Sequence, residues 1–333
     1  MSFIKALFIL FFLVLLQGIS SVLDTGSNSN IAVYWGQGGS DSSLAEFCDD
    51  YPQVNVVLLS FVTKFSSTGG FPSMEIGTRK CNPFPGTNLG DCPQLGQEIK
   101  TCQAQGKTTM LSIGGATYTE GGFSSKSDAI NSANTVWQTF GPNTPESQHR
   151  PFGDAVIDGF DFDLESPATN MPAFGNRLSE LMNGQWDRDF YLTAAPQCPF
   201  PDNNVGDCGL NAFTNGAPTG FNFDQWDQWT REESVSKNVK VMVGAPGSQD
   251  VAPSSGYVDA GQLGEIFEYS KRFSSMGGVM VWDASHLQMN PGLLGSIKKL
   301  AEDVLGTVGR VLIGQMGCSY CCVFRLGFVI FGL

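Results

Sequence analysis

Residues 158–165, reading Asp-Gly-Phe-Asp-Phe-Asp-Leu-Glu, constrain this chain more than any other stretch. Phe160, Phe162 and Leu164 alternate with Asp161, Asp163 and Glu165, a period-two pattern that specifies a β-strand with both faces committed. The three acids then share one face. At a rise of roughly 3.3 Å per residue they follow one another at about 6.6 Å, too close to ionise independently, so one is expected to hold a proton near neutral pH. Asp158 is out of phase, and a bulge at Gly159 would turn it back toward the others. A purely structural acidic strand would keep its carboxylates in water, which the interleaved bulky apolar residues oppose. Clustered carboxylates could hold a divalent metal. Acid–base chemistry on a neutral substrate is the reading we favour.

Around that strand the chain alternates between strands and helices. Apolar strands are expected at 31–35, 54–62, 108–113, 190–195, 239–245 and 278–282. Helices are expected after Ser43, through Leu95, Ile99 and Cys102 up to a left-handed cap at Gly106, and over 128–140, 171–182, 262–273 and 293–305. Such alternation argues for a parallel sheet covered by helices, and acids at a strand's C-terminal end favour a (β/α)8 barrel over a doubly wound open sheet. Gly36-Gln37-Gly38-Gly39 follows a strand but lacks the Lys and the spacing of a phosphate-binding loop.

The spacing Asp158-x-x-Asp161-x-Asp163-x-Glu165 resembles the signature of glycoside hydrolase family 18, the chitinases. The resemblance extends over about residues 30–305. Residues 31–37 (Ile-Ala-Val-Tyr-Trp-Gly-Gln), 112–115 (Ser-Ile-Gly-Gly), 191–199 (Tyr-Leu-Thr-Ala-Ala-Pro-Gln-Cys-Pro) and 277–282 (Gly-Gly-Val-Met-Val-Trp) are similar to the plant and fungal class III members. It implies a TIM-type barrel that needs no cofactor. Glu165 would be the general acid, Asp163 the residue that orients the substrate acetamide, and Asp161 its proton-sharing partner, with Asp158 in support. Trp282 would form the floor under the reacting sugar, with Tyr34 and Phe61 as further aromatic platforms, since sugar C–H faces stack on flat rings. Trp137, Trp186, Trp226 and Trp229 read as packing residues.

The count of strands falls one short of a closed barrel. The sixth should lie between Cys198 and Trp226, an interval rich in Pro, Gly, Asn and Asp with no apolar run long enough for a strand. The family's Gln-x-Tyr-Asn motif, whose Gln and Tyr contact the reacting sugar, has no counterpart there. Pro201-Asp202-Asn203-Asn204 reads as two distant pieces of the family sequence joined. We therefore expect a barrel that lacks or distorts its sixth strand, with an open seam.

Three regions follow: a secretory leader over 1–20 with Lys5 ahead of an apolar run, the barrel over 21–305, and a hydrophobic cysteine-containing extension over 306–333. Arg325 interrupts the apolar stretch of the extension, so neither a lipid-anchor signal nor a membrane span is expected. A formal charge of −13 makes nucleic acid or an anionic membrane a poor partner. Six of the nine cysteines lie in the body of the chain, which in a secreted protein points to disulfides. Sequence leaves their pairing open. The resemblance implies Cys48 with Cys102 and Cys81 with Cys92, leaving Cys198 with Cys208. No spacing suits zinc, and with His149 and His286 the only histidines no metal centre is expected.

The expected function is that of a secreted, extracellular and monomeric endo-chitinase acting on chitin or N-acetylglucosamine oligosaccharides, with association to a cell wall left open. The alternatives are an oligosaccharide-binding protein on the same barrel, an endo-N-acetylglucosaminidase acting on N-glycans, and a truncated product that folds poorly.

Overall fold

A computed structural model describes residues 23–38, 42–77, 81–196, 213–214, 217–218, 221–236, 238–252, 256–302 and 329–331. The expected leader over 1–20, most of the expected extension over 306–333 and the expected Cys198–Cys208 pair lie outside the described residues.

Seven strands run parallel: β1 (Asn30–Trp35), β2 (Val56–Lys64), β3 (Thr108–Gly114), β4 (Gly159–Asp163), β5 (Tyr191–Ala194), β6 (Lys240–Pro246) and β7 (Met276–Trp282). Each matches an expected strand within a few residues. Between them lie the helices α1 (Leu44–Asp50), α2 (Pro93–Ala104), α3 (Lys126–Phe140), α4 (Met171–Asn183), α5 (Phe223–Glu232) and α6 (Ala260–Ser270), and after β7 come α7 (Ala284–Gln288) and α8 (Pro291–Glu302). Ser43 caps α1 in a reciprocal box with Glu46, and the chain leaves α2 through Gly106 at φ +78°.

The expected seam between β5 and β6 is closed. An eighth strand, β8 (Val329–Phe331), pairs antiparallel with β6 through Lys240, Val241 and Met242 and antiparallel with β5 through Thr193 and Ala194. With β1 also pairing to β2, the order β1-β7-β6-β8-β5-β4-β3-β2 returns on itself as a distorted (β/α)8 barrel with one strand reversed. Ser73–Met74 extends the sheet as a hairpin on β2. The only described strands in the interval where the sixth was sought, Phe213–Thr214 and Ala217–Pro218, pair with each other outside the barrel.

Strand alternation divides the core in two. Ile31, Val33, Leu111, Ile113 and Phe160 face the helices, whereas Ala32, Tyr34, Leu58, Phe61, Met110, Met242 and Met280 fill the barrel. Disulfides join Cys48 to Cys102, which ties α1 to α2, and Cys81 to Cys92, as the resemblance implied. Beneath them the buried Lys107 donates to the carbonyls of Tyr51, Pro52 and Val54 at 2.7–2.9 Å, holding the turn into β2. Trp137 and Trp226 are buried, and Trp229 packs against Trp226. Trp186 corrects the packing expectation, standing 95% exposed on the α4–β5 turn, where no described element covers it.

Candidate active site

The site is built on one row across three neighbouring strands. Ser112 on β3 pairs with Asp161 on β4, and Asp161 pairs with Thr193 on β5. Because the side-chain period is two, all three residues point into the barrel while Ile113, Phe160 and Phe162 turn to the helices. Asp161 has no exposed surface. Its Oδ2 accepts from Tyr34 Oη at 2.8 Å and from Ser112 Oγ at 2.6 Å, and its Oδ1 accepts from the Thr193 hydroxyl. Burial pushes the Asp161 carboxyl above the usual range, and the three hydroxyl donors partly offset this. Burial likewise drives Tyr34 well upward, with the charges of Asp161 and Asp163 adding to it. A phenol that stays protonated remains a donor to its neighbouring carboxylate.

Asp163 ends β4 on the same face, less deeply buried. β4 stops there, and Glu165 lies two residues beyond it, half-buried, in the segment leading to α4. The expected strand therefore overran by two residues. At this end the neighbouring Ser-Ile-Gly-Gly stretch finds its physical reason. A Cβ on Gly114, at φ +124°, would stand 2.0 Å from the Asp163 carbonyl oxygen, and one on Gly115 would stand 2.7 Å from the Phe61 ring. Gly115 N donates to the Asp163 carbonyl at 2.7 Å. Only glycines let the chain come this close behind the acids.

Asp158 does not join the cluster. Gly159 pairs in register with Met110 and Tyr191, so there is no bulge to turn Asp158 inward. Its carboxylate instead accepts from Thr109 N at 2.8 Å and Gln103 Nε2 at 2.9 Å and forms an ion pair with Arg188. It fastens α2 and the start of β5 to the beginning of β4, away from the site.

Trp282, at the end of β7, is the partly exposed aromatic of the group. Its ring lies 5.2 Å from Tyr34 and is stacked at 5.8 Å on Phe61. Tyr34 and Phe61 are themselves only 1% and 4% exposed. They pack against Trp282 from within the barrel, and of the three rings only that of Trp282 keeps some exposure. Ser112 and Thr193 were missed as site residues, although both carried a signal: each is a hydroxyl placed in phase with the interior of an apolar strand. Among the described residues no cluster of His, Cys, Asp and Glu could hold a metal ion, and no helix is long and apolar enough to cross a membrane.

Buried acid, glycine turn and aromatic cluster thus converge toward the C-terminal ends of β3, β4, β5 and β7. The sequence profile of Glycosyl hydrolases family 18 matches residues 30–214. The chain belongs to that family. It is 42% identical over 320 residues to a class III chitinase of Arthroderma benhamiae, an alignment covering 87% of this chain and 92% of that protein. Among solved structures, a chitinase from Ipomoea carnea superposes with a TM-score of 0.64 at 28% identity, covering 81% of this chain and 99% of the other. A xylanase and amylase inhibitor protein superposes with a TM-score of 0.65 at 28% identity, covering 82% and 99%. The solved structures this chain is similar to thus include both a chitinase and an inhibitor protein.

Proposed function

We propose that this protein is an extracellular endo-chitinase that cleaves β-1,4 linkages between N-acetylglucosamine units with retention at the anomeric carbon. The observation that carries the reading is the buried Asp161, held by Tyr34, Ser112 and Thr193 on the same face of β4 as Asp163 and deeper in the barrel. Family 18 departs from the two-carboxylate scheme, because the acetamide of the substrate serves as nucleophile and the protein needs one acid.

Glu165 donates its proton to the glycosidic oxygen. As that bond breaks, the N-acetyl carbonyl oxygen closes on the anomeric carbon and forms a cyclic oxazolinium ion. Asp163 accepts the acetamide N–H and orients it for this attack. Asp161, raised by burial, shares a proton with Asp163, so that the two need not be charged together. Water then attacks the anomeric carbon from the face that the leaving group vacated, opening the oxazolinium ring, giving its proton to Glu165 and restoring the acid. Trp282 carries the sugar at the reacting position. The two disulfides fit an oxidising compartment and agree with a secretory leader over 1–20.

The similarity to an inhibitor protein favours one second reading, a protein that binds oligosaccharide without cutting it. Incubation of the purified full chain with a tetramer of β-1,4-linked N-acetylglucosamine separates the two. Our reading expects shorter oligomers. Binding without cleavage by a sample with native circular dichroism would replace it with the second.

A further inference from the structure

β8 lies at the barrel position where neither the sequence nor the remaining described residues supply a strand. Without it, β5 and β6 would each present an edge of unpaired backbone N–H and C=O groups, which a closed barrel cannot leave dry. Val329-Ile330-Phe331 has the β-branched and aromatic composition that a short strand needs. Its direction also has a physical reason. A parallel strand at this position would need a crossover helix on each side, whereas an antiparallel one can enter from the opposite end of the barrel.

The register places this strand against the site. Phe331 stands opposite Thr193 and Ile330 opposite Ala194, while the same residues face Lys240 and Val241 across the other ladder. Thr193 is the residue whose hydroxyl holds Asp161 Oδ1.

We propose that Val329–Phe331 is the closing strand of the barrel, and that by pairing with β5 it keeps Thr193 on Asp161, so that catalysis depends on the extension. The catalytic part of this inference rests on the chitinase reading; the structural part does not.

The test is amide hydrogen exchange on the full chain, combined with Ile330→Pro, which removes a ladder donor and clashes with a central strand. Amides 329–331 should exchange at least about 100-fold more slowly than in a free peptide of the same sequence. Exchange at peptide rates overturns the proposal whether or not the variant folds. Ile330→Pro should lower kcat on the tetramer at least about tenfold with KM little changed, and should raise the Asp161 pKa as the Thr193 bond is lost. A variant that fails to fold supports the closing role. One with native stability, kcat and Asp161 titration refutes it. If the full chain leaves the tetramer intact while amides 329–331 are protected and Asp161 responds to Ile330→Pro, the chitinase reading falls and the closing strand stands.

Discussion

The two walls of the barrel are built by different rules. From β1 to β4 the strands are parallel, the first three are six to nine residues long, and a disulfide between α1 and α2 reinforces their outer face. From β5 to β6 the wall is a four-residue strand, a three-residue reversed strand drawn from far along the chain, and then β6. The acids sit on the first wall, and one of the three hydroxyls that hold Asp161 sits on the second. Chemistry therefore depends on the better-built wall for its groups and on the weaker one for their alignment.

Four substitutions sharpen or break that contrast. Glu165→Gln removes the proposed acid and should cut turnover by about 10³-fold while tetramer binding persists; unchanged turnover in steady-state assays would move the acid elsewhere. Next is Gly114→Ala on the first wall, where a Cβ meets the Asp163 carbonyl in a left-handed backbone. It should cost about 3 kcal/mol, read as a fall in the urea midpoint, and a wild-type midpoint would deny the close approach.

Thr193→Val, where the walls meet, leaves Asp161 one donor short, at a cost of about 1–3 kcal/mol and with a lower kcat. If its effect were confined to stability, the link between the weak wall and the chemistry would be broken. The smallest effect is a slope. The folded pKa of Asp161 is raised, so its stabilising contribution is complete below the unfolded value and is lost as pH rises through the folded one. The melting temperature of Asp161→Asn should therefore gain on that of the wild type as pH climbs from about 4, then level off. Parallel curves in a thermal scan would mean that Asp161 titrates normally.

Much of the first wall is legible in the sequence, because strands buried on both faces read as apolar runs and the acids of β4 keep strict alternation. What alternation cannot tell is where pairing stops. It carried the strand through Glu165, and it suggested a bulge at Gly159 that in-register pairing excludes. Tyr34 and Phe61 read from the sequence as aromatic platforms, whereas their burial depends on packing among β1, β2 and β7 that no local pattern encodes. The closure by β8 was illegible for a stronger reason. A short apolar run carries no record of which edge it meets or in which direction, and its partners at Thr193 and Val241 are far away in sequence. Trp186 teaches the same lesson in reverse, since composition suggested packing and tertiary context left it bare.

In the proposed reaction the acids at the end of β4 cut a glycosidic bond with help from the substrate's own acetamide. Proton NMR of the tetramer during its first minutes with the full chain tests it most directly, because the anomer released at the new reducing end records the side from which water arrives. We predict that the β-anomer appears first and only then mutarotates. Initial release of the α-anomer would contradict the account.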